Sequence, residues 1–108
     1  MKQNPNGIYS SDQKTDLELL GYVTTLVNLD LRKFEEELEL CLKQTKYNDT
    51  KIYLQNARNH MVIIESRAKL YCKVAPHIQY MLPGIRAKYN KASDHFFHLL
   101  LDECRDDD

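Results

Sequence analysis

Glycine and proline are scarce, with three of each in 108 residues. So few chain-bending residues exclude a fold made of many tight turns and favour long helices. Val, Ile and Thr are not gathered in alternating runs, so no strand is expected. Long apolar runs are missing too: none approaches the ~18–20 residues that span a bilayer, which leaves no membrane partner. Residues Met1 to Ser11 are polar and lack the apolar core of a secretory signal. Cysteine is represented by Cys41, Cys72 and Cys104, an odd number, far apart and without CxxC spacing. That pattern argues against a metal site and reads as reduced, buried thiols in a cytoplasmic protein. The Walker loop, GxSxG elbow, HExxH helix and nucleotide fingerprint are all absent, as is the Glu-x-x-His motif of di-iron bundles. The expectation is a protein that is not an enzyme, with no cofactor and no metal.

What the sequence does contain is helical periodicity. From Thr15 to about Tyr47, Leu17, Leu20, Thr24, Val27, Leu31, Phe34, Leu38, Cys41 and Thr45 recur at alternating three- and four-residue steps, as a coiled coil's seam does. Thr15 followed by Glu18 fits a capping box at the start of this helix. A second seam of Leu19, Tyr22, Leu26 and Leu29 falls roughly opposite the first at about 100° per residue. Beyond Leu29 the back of the helix turns charged, with Arg32, Lys33, Glu35, Glu36 and Glu39.

Tyr47-Asn48-Asp49-Thr50 is the first break, with Asp49 or Thr50 able to cap the second helix. The short loop makes that helix fold back antiparallel and run to about Val74 or Ala75. Its seam is Leu54, Ala57, Met61, Ile64, Ala68, Tyr71 and Ala75; a rear stripe holds Ile52, Ile63, Leu70 and Val74. Pro76 ends or kinks that helix, and Pro83 is placed at the first position of a third one. The third seam is Leu82, Ile85, Tyr89, Ala92, Phe96 and Leu99, widened by Phe97, Leu100 and Leu101. At ~1.5 Å per residue the three helices measure roughly 48, 38 and 30 Å, so one end of the first must protrude.

The fold expected is therefore all-α: an antiparallel three-helix bundle, made of a long helical hairpin and a shorter third helix and completed by oligomerisation. Residues 1–14 are read as a flexible N-terminal arm, 15–105 as one helical-bundle domain and 106–108 as an acidic tail. After the core seams meet, Leu19, Tyr22, Leu26, Leu29, Ile52, Ile63, Leu70 and Val74 are left as apolar surface. The expected function is protein–protein association, by homodimerisation or as a scaffold subunit of a larger assembly.

Charge supplies a second reading. Residues 50–92 carry eight Lys or Arg against Glu65 alone, a net +7, while residues 1–49 are −3 and residues 93–108 are −5. A basic middle with Tyr53, Tyr71, Tyr80 and Tyr89 suits a small nucleic-acid-binding regulator, with cations for phosphates and rings for stacking. Against it, the net charge is −1 and the tyrosines partly coincide with core positions. The competing account is that basic and acidic segments pair between helices. His95, His98 and Asp102 share a face, but a metal there needs a further ligand such as Glu36 or Glu37. The bland alternative, polar neighbours of Phe96 and Phe97, is preferred. His60, Arg67, Lys69 and Tyr71 would make an RNA-cleaving site only if a cleft brought them together.

Overall fold

The computed structural model describes the backbone of residues 5–106 and the side chains of residues 15–105. The fold is all-α, with α1 at Pro5–Lys43, α2 at Tyr47–Leu70 and α3 at His77–Asp106. Together the three form an antiparallel bundle in which α2 is the middle element, packing extensively on both neighbours, while α1 and α3 touch each other less.

Each helix boundary departs from the local sequence signals for a physical reason. Helix α1 starts at Pro5, ten residues before Thr15, because proline suits the first helical position and no residue strong enough to end a helix comes after it. Thr15 and Glu18 thus lie inside the helix and mark no start. Of the arm expected over 1–14, residues 5–14 continue α1 as backbone. Residues 1–4, and the side chains before Thr15, lie outside the described residues, as do the side chains of the acidic tail 106–108.

The first turn is Gln44–Lys46, and α2 begins at Tyr47, without a side-chain cap on Lys46. Thr50 is fully buried one turn in, its Oγ1 donating to the Tyr47 carbonyl at 2.7 Å. Tyr47 also meets Phe96 of α3, ring centroids 6.4 Å apart. Packing has overridden the capping preference of Asp49 and Thr50. Helix α2 ends at Leu70, about four residues early, in a turn where Ala75 N–H donates to the Tyr71 carbonyl at 2.8 Å. Pro76 then takes the first-turn role that was expected of Pro83, with Gln79 N–H donating to its carbonyl at 3.2 Å. Pro83 sits inside α3, exposed, and removes the N–H that the Gln79 carbonyl would otherwise meet there. The third helix is consequently 30 residues long, longer than α2 at 24.

The core runs along the rod. Val23, Val27, Phe34, Leu38 and Cys41 of α1 meet Leu54, Ala57, Ile64 and Ala68 of α2 and Ile78, Ile85 and Ala92 of α3. Small Ala57, Ala68 and Ala92 against bulky Phe34 and Ile64 let the helices approach closely. Contacts between ends fix the stagger: Glu35 accepts from Lys88 at 2.6 Å, and the His95 ring lies 2.9 Å from the Gln44 carbonyl. Helix α3 therefore runs parallel to α1 but displaced toward its C-terminal end. The result is a rod of 78 × 17 × 16 Å rather than a compact bundle.

Candidate association surfaces

The eight flank positions separate once their exposure is known. Ile52 is 64% exposed, Leu70 72%, Tyr22 60%, Leu29 48% and Ile63 38%. Leu19, Leu26 and Val74 are half-buried, and Leu19 packs against the core. Leu19 thus belongs in part to the bundle itself. The remaining residues do not form one patch. Tyr22 and Leu70 lie toward the end where α1 protrudes, Ile52 lies near the α1–α2 turn, and Leu29 and Ile63 lie between.

Seam assignments also shift at the ends. Leu17, a core position by spacing, is 68% exposed because no helix accompanies α1 that far. Val23 lies between the two seams and is fully buried. At the far end of the rod Phe97 and Leu101 are each 53% exposed, and Tyr80 at the α3 start is the most open large apolar side chain described, at 84%. These four belong to the apolar surface, and only their position along the stagger reveals it.

Acidic and basic segments do pair between helices. Asp30 of α1 holds two partners from α2: the Arg67 guanidinium donates to Oδ2, and His60 Nδ1 lies 3.1 Å from Oδ1. Glu65 accepts from Arg86 at 2.8 Å, and Asn56 Nδ2 approaches Glu37 at 3.5 Å. His60 and Arg67 thus converge, but on a structural carboxylate between helices. Lys69 is exposed, and its amine makes no ion pair among the described residues. Not every cation is absorbed: Lys51, Arg58, Lys69 and Lys73 are exposed, without ion pairs among the described residues. Their spacing puts them along one side of α2 and the turn after it.

Of the three histidines on α3, His95 is held by the Gln44 carbonyl while His77 and His98 are exposed. No group of three or more His, Cys, Asp or Glu able to hold a metal occurs among the described residues. The cysteines correct the sequence reading, since only Cys41 is buried and Cys72 and Cys104 are exposed. Cys41 Sγ lies 3.7 Å from the Thr50 carbonyl, and burial pushes its thiol above the usual range. No helix among the described residues is long and apolar enough to cross a membrane. Comparisons with protein-family models, curated proteins and solved structures found no match.

Proposed function

We propose that this chain is an assembly subunit, working by association with protein through the apolar side chains its own bundle leaves open. The observation that carries this is the exposure of Ile52, Leu70 and Tyr22, each above one half, on helices whose opposite faces are buried. Burying a side chain of this size contributes ~1.5–3 kcal/mol, so a few such positions stabilise a contact after ordering costs are met. The exposed, unpaired thiols of Cys72 and Cys104 fit a reducing compartment such as the cytoplasm. Light scattering at micromolar concentration tests the reading. Self-association that is lost in a Leu26→Asp, Ile63→Asp double variant of unchanged helicity supports it. A wild-type chain that stays monomeric and captures no protein partner would sink it.

The runner-up is a nucleic-acid-binding regulator, favoured by the stripe of Lys51, Arg58, Lys69 and Lys73, four cations without ion pairs among the described residues. Phosphate contacts of this kind release counterions, so binding to generic duplex or single strands must weaken steeply with salt. Absence of binding at low salt removes it.

A further inference from the structure

Separate along the rod, the exposed flank residues share one side of it. Asp30 reaches His60 and Arg67, and Glu37 meets Asn56, so these positions mark where α1 and α2 adjoin. Helix α3 is tied to other edges of the two, by Lys88 to Glu35 and by Arg86 to Glu65. At about 100° per residue, Leu29 and Leu40 of α1 and Ile52 and Ile63 of α2 therefore border the α1–α2 junction on the side away from α3. All four are exposed.

The pattern on this side is self-complementary. On α1 it reads Leu29, Lys33, Glu36 and Leu40, and on α2 Ile52, Asn56, Asn59 and Ile63. Both series advance by four, three and four residues, so each has the same spacing read from either end. The α1 series is centred between Phe34 and Glu35, and the α2 series between Ala57 and Arg58. The contacts of Glu37 and Asp30 with α2 set those centres level to within about 2 Å. Lys33 and Glu36 are exposed and make no ion pair among the described residues, although they are opposite in charge and one turn apart.

We propose that the occupant of this flank is a second copy of this chain, laid antiparallel about a two-fold axis through those centres. This deepens the association reading above and rests on it. Each α1 lies on the other α1 and each α2 on the other α2, so Leu29 meets Leu40 and Ile52 meets Ile63, twice each, as an isologous contact requires. Lys33 of each copy faces Glu36 of the other, and Asn59 faces Asn56. That charge pairing selects both the occupant and its direction. Parallel rods would stack each apolar pair on its own copy but set Lys33 opposite Asn59, leaving both charges unanswered. Tyr22 and Leu70 come level with the other copy's α1–α2 turn. The other charges bordering the flank are not set against their like. Arg32 comes level with Glu37 of the other copy, and Asp49 with Ser66, next to Arg67. Glu18 lies just past the other copy's turn, where Lys46 is the exposed cation. Glu39 and Lys43 pair with each other. Lys51, Arg58 and Lys69 are about 100° or more around α2 from Ile52 and Ile63, and Asp102 and Glu103 are on α3, across the hairpin.

Charge exchange tests the pairing. Lys33→Glu and Glu36→Lys, made separately, each put two like-charge contacts into the dimer and should weaken it by about tenfold or more, read by sedimentation of the full chain. Both positions are exposed, so helicity should be unchanged. An equimolar mixture of the two variants restores opposite charges at both contacts and should dimerise as wild type does. So should a single chain carrying both changes. Helical variants that associate like wild type, or that stay apart when mixed, overturn this arrangement and leave the association reading to any self-association wild type retains. A strictly monomeric wild type overturns the arrangement, and one that also captures no protein overturns the association reading with it.

Cross-linking tests the direction independently. Cys41 is buried, so with Cys72→Ser and Cys104→Ser the chain carries no exposed thiol of its own. A thiol at Asn59→Cys then lies about 5 Å along the rod from its counterpart in the other copy, and one at Ser66→Cys about 25 Å. A short bis-maleimide should join the first pair across the dimer and spare the second. Linking at Ser66→Cys, which parallel rods would bring level, overturns the two-fold placement. A dimeric chain that gives no link at Asn59→Cys does the same.

Discussion

In the middle of the rod each helix is braced on two sides, and at the ends one helix runs alone. Phe34, Ile64 and Ile85 are buried between neighbours, and charges there are tied across helices: Asp30 to Arg67 and His60, Glu35 to Lys88, Glu65 to Arg86. At the ends Leu17, Tyr80, Phe97 and Leu101 stand open, and Lys69 and Lys73 are exposed without ion pairs among the described residues. The same amphipathic sequence is thus buried or left open according to whether the stagger supplies a neighbour. Stability should reside in the middle, and association at the ends and flanks. The sharpest way to break that division is a pair of truncations. Phe34→Ala should cost about 3–5 kcal/mol of unfolding free energy, read by urea or thermal melts, because it empties a fully enclosed site. Phe97→Ala, removing the same ring at an end, should stay within roughly 0.5–1 kcal/mol in the monomer. Equal losses would mean that the end is core.

The next effect in size concerns the polar clasp in the middle. Asp30 accepts from two α2 side chains that span almost two helical turns, His60 and Arg67, and its carboxylate is only 15% exposed. Asp30→Ala leaves both donors without their acceptor, and a loss of about 1–3 kcal/mol is expected. Reversal of the surface pair Glu39–Lys43, which is 70% and 66% exposed, should change stability little. A clasp variant as mild as the surface one would show that the apolar seams alone set the α1–α2 register.

Much of this middle was legible from spacing, and the ends were not. Heptad steps placed Val27, Phe34 and Leu38, and Ala57, Ile64 and Ala68, on the faces that are buried. They also marked flank stripes in which Tyr22, Leu29, Ile52, Ile63 and Leu70 are exposed while Leu19, Leu26 and Val74 are half-buried. Spacing says which side of a helix is apolar, however, and not how far along it a partner extends. Leu17 continues the first seam without a break and is open, because α2 has already ended. The boundaries failed for a related reason. Asp49 and Thr50 look like caps locally, yet burial of Thr50 and the Tyr47–Phe96 contact draw the helix start back to Tyr47. Two prolines competed for one helix start, and Pro76 won because the α2–α3 turn had to close within six residues of Leu70. The Asp30 cluster joins positions 30 and 37 apart in sequence, and no local pattern encodes it.

Thiol chemistry offers a smaller contrast between middle and ends. Cys72 and Cys104 should react with a chromogenic disulfide at once in the folded protein, and Cys41 only on unfolding. Burial raises the Cys41 thiol, so the folded state holds its proton more tightly than the unfolded chain does. The associated stability is complete below the ordinary thiol range and is lost as pH rises through the raised value. Alkaline melts should therefore show a decline that Cys41→Ala lacks, measured relative to each protein's own stability at neutral pH. Parallel pH profiles for the two proteins would contradict this.

The finest test compares two adjacent isoleucines. Ile63 and Ile64 have the same side chain and the same helix propensity, and differ by about 100° around α2. Ile64 is fully enclosed and Ile63 is 38% exposed. Ile64→Asp buries a carboxylate among apolar groups and should unfold the monomer outright. Ile63→Asp can turn its charge to water, so the monomer should lose no more than about 1 kcal/mol. If the flank is an interface, the same change should still abolish association, because there the carboxylate would be covered by the partner. A folded Ile63→Asp chain that associates as well as wild type would confine the contact surface to the ends of the rod. An unfolded one would return Ile63, and the stripe it belongs to, to the core.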